Sequence, residues 1–184
     1  MSEVATPRAQ QCDLGLKVEL AYEKISTLEA ILVGGTIAGT LDILFAISFA
    51  SFNGVSPARL LQTIASGTSA FEGGMNAAAL GLVLHFAMSY AWCALFLAVA
   101  KRVARLARHP LVSGPLFGIV VFVCMRLIVL PLSAFPYPIN FKPLATVLDL
   151  LSHMLLFGIP IAIAAHRSVA DRSDKSLRSK TVRE

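Results

Sequence analysis

The sequence predicts an all-α polytopic membrane protein, a four-transmembrane-helix bundle with a short interfacial helix in the first external loop. Three observations carry this. Of 184 residues, 56% are hydrophobic and only 15% are charged, against roughly 25% charged in a soluble domain. Four apolar stretches each reach the about 20 residues that a spanning helix needs. No stretch alternates apolar and polar residues over about ten positions, which argues against an outer-membrane barrel.

The four spans are read at 31–52 (ILVGGTIAGTLDILFAISFASF), 77–100, 111–132 and 144–165. They form a transmembrane domain over 31–166, between an N-terminal segment at 1–30 and a basic tail at 167–184. Charge asymmetry sets the orientation. Thirteen Lys and Arg residues lie in the N-terminal segment, the second connection (Lys101, Arg102, Arg105, Arg108) and the C-terminal tail, while only Arg59 and Lys142 lie on the other side. Basic loops stay inside, so both termini are expected to be cytoplasmic in an inner, cytoplasmic membrane. The net charge of +5 has the same origin. The tail RSVADRSDKSLRSKTVRE interleaves no aromatic residue among its charges, so no nucleic-acid partner is expected. Its contact is with anionic headgroups of the lipid bilayer.

The first apolar run follows about thirty residues that include five acids, the wrong layout for a cleavable signal peptide. Cys12, Cys93 and Cys124 fall in the tail and in two spans, so no disulfide framework is expected. CxxC spacing is absent and no metal site is expected.

The first external connection carries Ser56 and then Pro57, a capping hydroxyl followed by proline at the first helical position. Leu60, Leu61 and Ile64 share a face, which predicts a helix over 57–66 that lies on the membrane surface or dips into the bundle. Gly73 and Gly74 allow the chain to turn back sharply. The second external connection, PLSAFPYPINFKP, holds four prolines and cannot be helical throughout. It is expected to form a stiff cap with Phe135, Tyr137 and Phe141 at headgroup level.

Small residues mark the packing faces. Gly35 and Gly39 form one GxxxG, with Asp42 on the same stripe, and Gly114 and Gly118 form another. Such spacing lets helix backbones approach, within the chain or against a second copy or another membrane protein. The second span stacks Ala78, Gly81, His85, Ser89 and Trp92 at helical spacing. Asp149 and His153 are i and i+4 neighbours, and Pro160 is expected to kink the last span and free a carbonyl near Leu156.

Five ionisable residues sit inside the spans: Asp42, His85, Arg126, Asp149 and His153. Such groups are costly in hydrocarbon and face a bundle interior or a water-filled cavity. At about 1.5 Å per residue, Asp42 falls near the midplane and the other four between midplane and external surface. The pattern predicts an outward-facing polar cluster suited to protons or to a small anion or polar solute, because histidine titrates near neutral pH and arginine offers a permanent positive charge. Other readings stay open. The network could only fix helix register, or the chain could be a structural or accessory subunit. His85 and His153 could ligate a b-type haem across the bundle. No nucleophile–base pair or metal trio stands out, so no enzyme activity and no cofactor are expected.

The GTIAGTLD run of the first span and the HF pair of the second are followed by a basic loop ending in Pro110. With PLSAFP after the third span and a histidine in the fourth, the chain resembles the YagU-like group of small bacterial inner-membrane proteins over about residues 31–167. That resemblance implies a bacterial inner-membrane protein linked to acid resistance. It carries over no catalytic residue.

Overall fold

The computed structural model describes residues 25–68, 73–136 and 141–169. Four helices within it are long and apolar enough to cross a membrane: α1 (Thr27–Phe52), α3 (Gly74–Arg102), α5 (Pro110–Leu132) and α6 (Pro143–Val169). Two short helices complete the set, α2 (Pro57–Ala65) between the first two spans and α4 (Ala104–Arg108) between α3 and α5. No strand occurs among the described residues. The chain is an all-α, multi-pass membrane protein.

The helix ends follow from local chemistry. Ser26 caps α1 by accepting from the Glu29 amide at 3.1 Å, and the Glu29 carboxylate accepts from the Ser26 amide at 2.6 Å. This reciprocal box satisfies two orphan donors and starts the helix four residues before the apolar run does. Ser56 and Pro57 start α2 as expected, with the Ser56 hydroxyl accepting from the Arg59 amide at 3.3 Å. Gly73 and Gly74 take φ of 77° and 73°, left-handed values that cost glycine nothing, and so turn the chain back into α3. At the opposite end the basic connection is not a plain loop, since 104–108 form a helical turn. The Ser113 hydroxyl donates to Leu106 O at 2.7 Å, and His166 Nδ1 donates to Ala107 O at 2.7 Å, so α4 is tied to α5 and α6.

Both later spans widen into π-helical turns, α5 at Met125–Val129 and α6 at His153–Gly158. Each widened turn ends two residues before a proline, Pro131 and Pro160. A proline ring clashes with the carbonyl four residues back and donates nothing to it, and a π turn is one way a helix absorbs that defect. The kink expected at Pro160 is therefore a widened turn upstream of it, and Pro131 lies inside α5, within the span read at 111–132.

Glycines set the packing. A Cβ on Gly35 would meet the Tyr90 ring, and one on Gly39 would meet Ser89 and Phe86. Those two glycines therefore seat α1 on α3. Gly114 and Gly118 seat α5 on the π turn of α6, where Gly158 returns the contact. All four GxxxG glycines are thus covered within the chain. Without water to drive apolar burial, close approach of this kind and interhelical hydrogen bonds hold spans together. The core sits towards the end that holds Thr27, Arg102 and Val169. There Cys93, Phe96, Leu97, Phe157 and Ile161 pack against Ala30, Ala100, Ala164 and Ala165. Helix α2 docks on α3, with its Leu61 backbone against Gly81, so it dips into the bundle. Among the described residues α3 and α5 do not pack closely; they touch through Trp92, Phe96 and Phe117, with ring centroids 6.2 and 4.7 Å apart.

Candidate functional site

At the end of the bundle opposite the alanine-rich core, the four spans part around a cavity of about 370 Å3. Each span contributes one ionisable side chain: Asp42 from α1, His85 from α3, Arg126 from α5 and Asp149 from α6. Ile43 and Ala46 of α1, Leu60 and Ile64 of α2, Leu130 of α5 and Phe135 of the second connection complete the lining. Phe135 thus turns into the chamber. Phe141 is exposed, and Tyr137 lies outside the described residues.

The close α1–α3 contact creates its own hydrogen bonds. His85 Nε2 donates to Gly39 O at 2.9 Å, Ser89 donates to Gly35 O at 2.7 Å, and the Cys93 thiol reaches Ala30 O at 3.6 Å. These three contacts climb the two antiparallel helices in register. A carbonyl only accepts, so Nε2 of His85 carries the hydrogen and Nδ1 of the neutral ring is an acceptor.

Arg126 lies in the π turn of α5 and donates from Nη2 to Asp149 Oδ2 at 2.8 Å. Its guanidinium sits over the rings of Phe122 and Phe141, 5.5 and 5.6 Å from their centroids, a cation–π arrangement on top of the ion pair. Of the two acids the sequence offered it, Arg126 takes Asp149. His153 opens the π turn of α6, with Nδ1 2.8 Å from the Asp149 main-chain oxygen and 3.3 Å from its Oδ1. Its ring lies among Phe122 and Phe157, behind Asp149 and outside the chamber lining. Of the two histidines, His85 lines the chamber and His153 does not.

Asp42 differs from the other acid. Its contact is the Ser152 hydroxyl, at 3.4 Å, and that same hydroxyl donates to Asp149 O at 2.8 Å. A serine has one proton to donate, and the shorter bond takes it. Asp42 therefore lines the chamber with no full-strength hydrogen bond and no ion pair among the described residues.

Ser152, Phe122 and Phe135 are parts of the site that the sequence reading did not assign. Phe122 precedes Arg126 by four residues, a spacing that places both on one helix face, so it carried a usable signal. Ser152 carried none beyond adjacency to His153. Among the described residues no three His, Cys, Asp or Glu side chains gather as metal ligands. Neither a family model, nor a curated protein, nor a solved structure matches the chain.

Proposed function

We propose that this membrane protein handles protons, exchanging them at Asp42 within a chamber that faces the external side of a bacterial inner membrane. The observation that carries the reading is the Asp42 carboxylate, which lines a cavity of about 370 Å3 without a matched partner. A charged side chain at the bilayer centre costs at least about 2.5–3.5 kcal/mol, and intramembrane acids and histidines mark proton and ion pathways. A carboxylate kept there solely to fix helix register would be paired, as Asp149 is with Arg126.

The surroundings supply acceptors and donors in sequence. His85 offers Nδ1 at the chamber wall, the Ser152 hydroxyl lies between Asp42 and the Asp149 main-chain oxygen, and the Asp149 carboxylate meets His153. Protonation of Asp42 would remove the charge cost, and loss of the proton would restore a cation-seeking site. The alanine-rich core packs the other end of the bundle, which favours carriage of protons between the two sides by Asp42 over conduction through an open pore. A role under acid stress fits such chemistry.

The test uses purified full-length protein in vesicles of neutral lipid with a pH-sensitive dye inside. A step in external pH is applied with potassium and valinomycin present. Vesicles with the native protein should equilibrate at least tenfold faster than vesicles with Asp42→Asn. Equal rates for the two proteins would defeat the reading.

A further inference from the structure

The chamber does not end at its polar walls. A second cavity of about 330 Å3 adjoins it, and Ile64, His85, Leu130 and Phe135 line both. Its remaining wall is mostly apolar, with Leu84 and Met88 from α3 and Met125 and Val129 from α5, beside the hydroxyls of Thr63, Thr68 and Ser133. This second cavity lies in the cleft between α3 and α5, the two spans that do not pack closely on each other. Lipid-facing Val83 and Leu127 flank it on the two helices, both largely exposed. A polar chamber and a membrane-side apolar cleft thus share one wall.

We propose that the two cavities form one site for a hydrophobic monovalent cation, with its positive centre beside Asp42 and its apolar body in the α3–α5 cleft. The charge balance of the lining selects the sign. Two carboxylates, Asp42 and Asp149, face the chamber with one guanidinium, and that guanidinium is held by Asp149. With His85 and His153 neutral, one carboxylate is left over, which attracts a cation and repels an anion of equal size. The apolar wall selects the class. Met88 and Met125 present polarisable, adaptable side chains of the kind found on surfaces that accept ligands of varied shape. Phe135 stands at the junction of the two cavities, where an aromatic face attracts a quaternary cation. Each cavity falls in the about 300–1,000 Å3 range of small-molecule sites. A small hydrated cation would satisfy Asp42 but make no use of the cleft.

The inference rests on the reading of Asp42 as a proton-exchanging group, because the cation would take the place of that proton. Acidification should therefore weaken binding. The groups that face Asp42 are His85 from α3, Arg126 from α5, and Ser152, Asp149 and His153 from α6. Protonating either histidine adds positive charge and acts in the same direction.

The experiment is equilibrium binding of tetraphenylphosphonium to the purified full-length protein in detergent, with empty micelles as the blank and tetraphenylborate as a probe of like shape and opposite charge. Saturable phosphonium binding is expected, weaker by at least tenfold at about pH 5 than at about pH 8, with protons released on binding at the lower pH, where Asp42 is protonated. Asp42→Asn should lose at least tenfold in affinity while Asp42→Glu retains most of it, and Val129→Trp, which fills the cleft, should also bind weakly. Thermal melting of each variant checks its fold. Binding no greater than that of empty micelles, equal affinity for the borate, or undiminished affinity in a folded Asp42→Asn protein would overturn the inference. Proton exchange through Asp42 without phosphonium binding would remove this site and leave the proton reading. Phosphonium binding lost in Asp42→Asn but without proton release would support the site and remove the proton reading.

Discussion

Gly118 of α5 lies so close to the His153 carbonyl of α6 that no Cβ fits between them. The contact falls where α6 widens into its π turn, one helical turn from the chamber. It couples the packing of two spans to the position of a titratable ring.

Gly118→Ala should therefore push α5 away from α6. The neighbour is backbone, which cannot swing aside as a side chain would, so overpacking of this type should cost about 1–3 kcal/mol. Thermal unfolding in detergent checks it. Leu116→Ala, at a side chain 57% exposed on the same helix, serves as the comparison and should shift the midpoint much less. Equal shifts would mean that the close approach contributes nothing to the bundle.

The roof of the chamber offers a second test. Leu61 O of α2 sits against Gly81 of α3, and a Cβ on Gly81 would collide with it. Gly81→Ala should lift α2 without disturbing the α1–α3 contact further down. In hydrogen-exchange mass spectrometry the amides of Pro57–Ala65 should exchange faster in the variant, because local opening reports few protective contacts. Unchanged protection there would show that α2 is not held by this contact.

The spans and their order could be read from hydropathy, since length and apolarity are local properties that a bilayer imposes on each helix separately. The rest depends on rotation about the helix axes, which composition does not encode. The sequence placed Asp42 on the stripe of Gly35 and Gly39, yet gave Arg126 two acids to choose from. Only the π turn at Met125–Val129, which re-aims that arginine, resolves the choice in favour of Asp149. A π turn leaves no periodic trace in the residues. Ser152 was equally hidden, because its role is to withhold a proton from Asp42 by giving it to a carbonyl. The early start of α1 was legible in principle, as Ser26 and Glu29 form a capping box, but an apolar window overlooks caps.

Orientation gives a third prediction. Among the described residues Lys101, Arg102, Arg105, Arg108 and Arg167 lie at the end of the bundle that holds the alanine-rich core, against Arg59 and Lys142 at the chamber end. The positive-inside rule then puts both termini in the cytoplasm and the chamber outside. Reporter fusions after Glu184 and within 101–109 should both report a cytoplasmic location, and a fusion after Gly54 an external one. An external signal at either of the first two sites would reverse the chamber and with it the side from which protons arrive.

The last prediction concerns the ion pair that joins α5 to α6. Arg126 cannot escape its charge by losing a proton, so removing Asp149 takes the carboxylate from a cation that sits over the Phe122 and Phe141 rings. Breaking one side of a fully buried pair costs about 3–5 kcal/mol in soluble proteins, whereas exposed pairs contribute about 0–1 kcal/mol. Here the side chains are 19% and 35% exposed, between those two cases. A coupling of about 1–2 kcal/mol is expected from the cycle of Arg126→Leu, Asp149→Leu and the double variant, within the range for contacting residues. The matching cycle with Asp42→Leu should be additive to within about 0.5 kcal/mol, because Asp42 makes no ion pair with Arg126. Thermal unfolding of all the variants in one detergent supplies both cycles. Coupling of Arg126 to Asp42 and not to Asp149 would mean that Asp42 is the paired acid and Asp149 the open one. The proton site and the cation site would then both move from α1 to α6.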